Sequence, residues 1–160
     1  MPQRGTIVSS SGLPVADELA IRNLLAKYGH LLDEGAPEDW AALFTEDGSW
    51  HRLNVPPATL GGSGLPAETR SGRAVLTRMA QEVVQDLFRR RCRHQMTDVY
   101  VEAGATPDTA RGLARALITD WRDGPGKIAM VGSYKFEFAR LAEGWRIKSI
   151  ACDLLPKAAG

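Results

Sequence analysis

The chain has 160 residues, enough for one domain with a single core and cramped for two. Hydrophobic residues make up 44% and charged residues 24%, ordinary globular usage, and a formal net charge of +1 argues against nucleic acid as the main partner. No run is apolar enough to span a bilayer and the opening MPQRGTIVSSSG lacks a signal-like apolar stretch, so a cytoplasmic protein with no membrane partner is expected.

Residues 1–13 are polar and rich in Gly and Ser, which predicts a flexible N-terminal arm ahead of a single domain over 14–156. The first helix is expected from Ala16 to Asp33, with Leu19, Leu24, Leu25, Tyr28, Leu31 and Leu32 on its buried stripe and Gly35 as its stop. PEDWAALF places Pro37 and two acids in a first turn, the pattern of a short second helix. TEDGSWHRL then reads as a turn and a strand. The Pro- and Gly-rich stretch 54–72 is expected to be one long loop, a lid or an oligomer contact.

Helical spacing returns from Arg73 to Phe88 in VLTRMAQEVVQDLF. The basic run Arg89, Arg90, Arg91 and Arg93 after it marks a solvated helix end or a subunit contact. Four strands follow, over 93–103, 110–122, 127–141 and 144–154, with hairpin-like turns at GPG (124–126) and EG (143–144) between the later ones. Three helices followed mainly by antiparallel strands make an α+β domain, its helices packed on one face of a curved sheet with a conical cavity between.

Asp33 stands on an otherwise apolar helix, and a carboxylate turned toward an interior needs a partner there. His94, at the start of the strand RHQMTDVYVE, is one candidate; a local pairing with His30 or Lys27 is the other. A His/Asp pair at the mouth of an apolar cavity is a minimal acid–base machine. Tyr28 lies five residues before Asp33, about 140° around an ideal helix, so the two share a cavity only if it wraps the helix. Tyr134, Phe136 and Phe138 share one strand face, and Met96 and Trp121 are further wall candidates. Cys92 and Cys152 have no zinc-knuckle or CxxC spacing, and the three histidines form no compact metal motif.

The segments IRNLLAKYGHLLD, DWAALFTEDGSW, RHQMTD and GSYKFEFARLAEGWRI, in this order, resemble the SnoaL-like group of the nuclear-transport-factor-2-like superfamily over about residues 15–155. The resemblance implies a cone-shaped, cystatin-like fold of a curved antiparallel sheet and three helices packed on its concave face, in a homodimer or homotrimer. Toward scytalone dehydratase, bile-acid 7α-dehydratase and hexachlorocyclohexane dehydrochlorinase it implies a cofactor-free lyase or isomerase. In these, Asp33 would orient His94 as the base, Tyr28 would assist the carbonyl or leaving group, and Trp50 would wall a pocket for a small hydrophobic cyclic substrate. Two positions depart from those relatives: Ile150 stands where several carry an arginine, and Phe136 stands where an acid occurs. Both residues are therefore expected along the pocket. A non-catalytic subunit like those of ring-hydroxylating dioxygenases, or a binding protein for an apolar metabolite, is the alternative.

Overall fold

The computed structural model describes residues 9–53, 55 and 64–155. Helix α1 (Val15–Glu34) starts after Pro14, with Asp17 and Glu18 in its first turn where the helix dipole favours negative charge. Its buried face carries Asp17, Ile21, Leu24, Leu25, Tyr28, Gly29, Leu32 and Asp33, the three-and-four spacing of an amphipathic helix. Leu19 falls outside that spacing and is 56% exposed, against the expected stripe. Helix α2 (Pro37–Ala41) delivers Trp40, which is fully buried.

Residues Ser9–Leu13, expected within a loose arm, are tied to α1. The Ser9 and Ser11 hydroxyls donate to Glu18 Oε2 at 2.5 and 2.8 Å, Leu13 is 3% exposed, and the Ala103 N–H donates to the Ser11 carbonyl. Those hydroxyls, with Arg22 beyond them, hold the Glu18 carboxyl down at about 2. Residues 1–8 lie outside the described ones.

The six strands are β1 (Phe44–Arg52), β2 (Glu68–Ser71), β3 (Cys92–Ala103), β4 (Thr109–Asp120), β5 (Lys127–Leu141) and β6 (Gly144–Leu154). They form one sheet in the order β2-β1-β6-β5-β4-β3. The sheet is mixed rather than purely antiparallel, because β1 runs parallel to β6 while the other neighbours are antiparallel. Strand β2 lies inside the stretch expected to be loop. ETRS has no apolar alternation to announce a strand; it is an edge strand held by its register with Ser49–Arg52 of β1. Of the rest of that loop, 54 and 56–63 lie outside the described residues, and Val55 and Leu65 form an antiparallel bridge.

Helix α3 (Arg73–Ala80) continues without a break into a π-helical stretch, Gln81–Leu87. One helical pattern thus covers two geometries, which the 3.6-residue period does not separate. The core lies between α1, α2 and the concave sheet face. There Tyr28 and Trp40 rings sit 5.6 Å apart, Trp40 and Phe44 5.0 Å, Tyr28 and Phe136 6.2 Å, and Phe136 stacks on Phe138 at 5.7 Å.

At the end of β4, Asp120 accepts from the Arg122 Nε at 3.0 Å, its Nη2 at 2.8 Å and its backbone N–H at 3.0 Å. Those donors hold the carboxyl at about 2, below its ordinary 3.8. A depressed carboxyl contributes stability that is present above its unfolded value and lost as pH falls through the folded one. Thermal unfolding scans should therefore show native stability falling from about pH 4 to pH 2, and Asp120→Asn should flatten that fall while lowering stability at neutral pH.

Candidate active site

Asp33, in the last turn of α1, points at the first residues of β3. Its Oδ1 lies 2.5 Å from the His94 Nδ1, and its Oδ2 accepts the His94 backbone N–H at 2.7 Å. Both oxygens of one carboxylate therefore hold one histidine, the first fixing the ring and the second fixing the strand. The two side chains are 5% and 7% exposed. His30 and Lys27, the local competitors, are exposed on the outer side of the helix.

Gly29, one turn before Asp33, makes this approach possible. A Cβ there would sit 2.8 Å from the His94 carbonyl oxygen. Only a bare Cα lets α1 lie this close to the β3 backbone.

His94 also lines a cavity of about 320 Å³ enclosed by the sheet, α1, α2 and the α3/π helix. Tyr28, Leu32 and Trp40 form one wall, Trp50, Ile118, Met130, Tyr134 and Leu154 the sheet wall, and Met79, Val83, Val84, Leu87 and Phe88 the third. The 140° between Tyr28 and Asp33 is resolved by division of labour. Tyr28 faces the cavity directly, whereas Asp33 reaches it through His94.

Of the expected wall residues, Trp50 and Tyr134 line this cavity. Phe136 and Ile150 do not; they are 2% and 0% exposed, packed within the aromatic and aliphatic core beneath it. Met96 borders a separate groove on the outer side of the dyad, between α1 and β3. Trp121 sits beyond the end of β4, 47% exposed, beside Arg91 and Arg93. Strand alternation correctly separates faces but does not say how deep along a face the cavity reaches. The π-helical wall and the charged side chains Arg52, Glu68 and Arg70 at the β1–β2 side were missed. The apolar pairs in MAQEVVQDLF were a usable signal for the former; an unpredicted β2 hid the latter.

The cavity is apolar with few polar atoms. The Trp50 indole N–H meets the Tyr28 oxygen and the Tyr134 hydroxyl meets the Cys152 thiol, which leaves the Tyr28 O–H to serve a ligand. Burial pushes both phenols well above their ordinary range, with the Cys152 thiolate form opposing ionisation as well and the Trp50 indole partly relieving it at Tyr28. They act as neutral donors. Burial also raises the Cys152 thiol to about 12, which leaves it a poor nucleophile.

His51 turns away from the cavity and bonds the Ser49 and Thr69 hydroxyls at 2.8 and 3.0 Å. Among the described residues no group of three His, Cys, Asp or Glu side chains converges to hold a metal ion. Also among them, no helix is long and apolar enough to cross a membrane.

Comparison with known families places a SnoaL-like domain over residues 14–151, nearly the whole described chain. The chain belongs to the SnoaL-like family. Several solved structures share its architecture. One is an NTF2-like protein with a cystatin-like fold from Novosphingobium aromaticivorans, 22% identical, covering 91% of this chain and 85% of the other with a TM-score of 0.72. Another is a protein of unknown function from Mycobacterium tuberculosis, 25% identical over 87% of this chain and 72% of the other, TM-score 0.69. A third is a provisionally assigned aromatic ring hydroxylase from N. aromaticivorans, 27% identical over 92% of this chain and 94% of the other, TM-score 0.67. No curated protein matches the chain. The SnoaL-like family includes enzymes, and the cone-shaped α+β fold expected from the sequence is the fold these neighbours share.

Proposed function

We propose that this SnoaL-like protein is a cofactor-independent lyase or isomerase, with dehydration its favoured outcome, acting on a small hydrophobic cyclic ketone. The observation that carries the reading is the double grip of Asp33 on His94 at the wall of an apolar cavity. With Nδ1–H donated to the carboxylate, Nε2 is the nitrogen left to accept a proton.

His94 Nε2 removes the proton from a carbon beside the carbonyl, and Asp33 stabilises the imidazolium that results. The C–H electron pair moves onto the carbonyl oxygen, to which the neutral hydroxyl of Tyr28, a residue lining the same cavity, donates. Collapse of that enolate either expels a β-hydroxyl, which leaves as water with the proton carried by His94, or takes the same proton back at another carbon. The first path is a dehydration and the second an isomerisation.

Exchange into deuterated water tests this without knowledge of the natural substrate. Cyclic ketones and β-hydroxyketones of one or two rings are incubated with the protein and followed by proton NMR. Loss of the α-proton signal, or formation of the enone, is expected, and His94→Ala should slow it by about 10²–10⁴-fold while circular dichroism shows a folded protein. Full activity in that variant would remove the assignment.

A second reading draws on the likeness to the provisionally assigned ring hydroxylase and to the beta subunit of an aromatic-ring-hydroxylating dioxygenase from the same organism. Under it the chain is an accessory subunit, and a large iron-containing chain should co-purify with it while no ketone exchanges.

A further inference from the structure

Two arginines share the charged end of the cavity. Arg52 on β1 and Arg70 on β2 both line it, and both hold Glu68: Arg52 Nη2 lies 2.9 Å from Oε2 and Arg70 Nε 2.6 Å from Oε1. Arg52 also donates from Nε to the Pro66 carbonyl at 3.2 Å, and Arg70 Nη1 lies 3.6 Å from Glu82. Each guanidinium carries five N–H donors, so these few acceptors among the described residues leave most of the donors unassigned. The three side chains are 19%, 32% and 30% exposed, half withdrawn from water, whereas Glu82 is 58% exposed. The Arg52 guanidinium lies 5.9 Å from the centre of the Trp50 ring, which keeps it against a wall of the cavity.

His94 belongs to the edge strand β3, and the arginines to β1 and the opposite edge strand β2. A ligand filling the cavity thus meets a base from one edge and a surplus of cationic donors from the other. Glu68 meets both arginines, at 2.9 and 2.6 Å, whereas Glu82 meets only Arg70, at 3.6 Å and 58% exposed; the four formal charges balance, but N–H donors outnumber carboxylate oxygens beside an otherwise apolar space.

We propose that Arg52 and Arg70 form an anion subsite for a carboxylate borne by the ring-shaped ligand, remote from the carbon that His94 addresses. Planar bidentate pairing suits a carboxylate to a guanidinium, and a partly desolvated site strengthens it. Glu68 lines the same wall and orients the two guanidiniums. The subsite rests on the same cavity as the proposed lyase, but not on its chemistry.

Calorimetric titration with 2-naphthoate and with its neutral isostere 2-naphthamide tests the proposal on the full chain. Wild type should bind the naphthoate at least about ten-fold more tightly, with a preference that shrinks as salt rises. Arg52→Gln/Arg70→Gln should bring the ratio to near one, and Glu68→Gln, which removes the competing carboxylate, should raise it. Circular dichroism checks that each variant is folded, and the Glu68→Gln increase cannot arise from unfolding. His94→Ala should keep the full preference, so loss of catalysis and loss of the subsite are read separately. Equal binding of the two probes, binding of neither, or a preference that survives the double variant would overturn the subsite. Absence of ketone exchange with the preference intact would overturn only the lyase.

Discussion

Asp33→Asn is expected to lower proton-abstraction activity by about 10³–10⁴-fold while the protein stays folded. The carboxylate accepts two hydrogen bonds from one residue, the imidazole Nδ1–H and the backbone N–H of His94. An amide has a single oxygen. If that oxygen keeps the backbone N–H, its NH₂ group faces Nδ1, which must then become the acceptor. The ring proton moves to Nε2, the nitrogen needed as base. The variant should therefore fail through the wrong tautomer rather than through a lost fold. Long-range proton–nitrogen NMR of the histidines reads this directly: Nδ1–H at His94 in wild type, Nε2–H in Asp33→Asn, and a melting temperature changed by only a few degrees. An unchanged tautomer with full activity would show that Asp33 does not set the state of His94.

Gly29→Ala makes the second large difference, and its sign is diagnostic. In a helix interior, glycine is disfavoured against alanine by about 1 kcal/mol, so an ordinary substitution would stabilise the protein. Here the new Cβ would meet the His94 carbonyl oxygen at 2.8 Å, a backbone atom that cannot rotate aside. Helix α1 must lift from β3, and the two Asp33 contacts at 2.5 and 2.7 Å lengthen with it. A net loss of about 1–3 kcal/mol is expected in denaturant unfolding. Activity should fall by about ten- to a hundred-fold, because displacements of this size misplace a catalytic base. The downfield Nδ1–H resonance of His94 should move upfield. A stabilised Gly29→Ala protein with that resonance unmoved would show that the close approach has no role.

Most of the architecture was legible because it is written in periods. Leu24, Leu25, Tyr28 and Leu32 repeat at helical spacing, and Tyr134, Phe136 and Phe138 alternate along β5, so α1 and the concave sheet face follow from the residues. Residues that obey no period were harder to place. ETRS forms β2 through backbone pairing and charge alone, and with it Arg70 and Glu68 entered the cavity unannounced. The partnership of Asp33 with His94 spans 61 positions and no local pattern encodes it; the order of motifs suggested it and Gly29 makes room for it. Phe136 and Ile150 show the complementary limit. Both face the concave side, yet the aromatic stack and the aliphatic core fill the space before a ligand could reach them.

The parallel pairing of β1 with β6 fixes when the pocket comes into being. Strand β1, which carries Trp50 and Arg52, has β2 as its neighbour on one side and β6 on the other. On the ribosome β1 emerges early and must wait for the last strand before it can join the sheet that holds His94 through β4 and β5. Until then the two halves of the cavity are separate pieces of chain, linked only by α1, α2 and the α3/π helix. Closing that long interval is entropically slow, so the final strand acts as the keystone of synthesis. A nascent chain halted before Gly144 would carry every residue of the Asp33–His94 pair and still lack the vessel in which they could work.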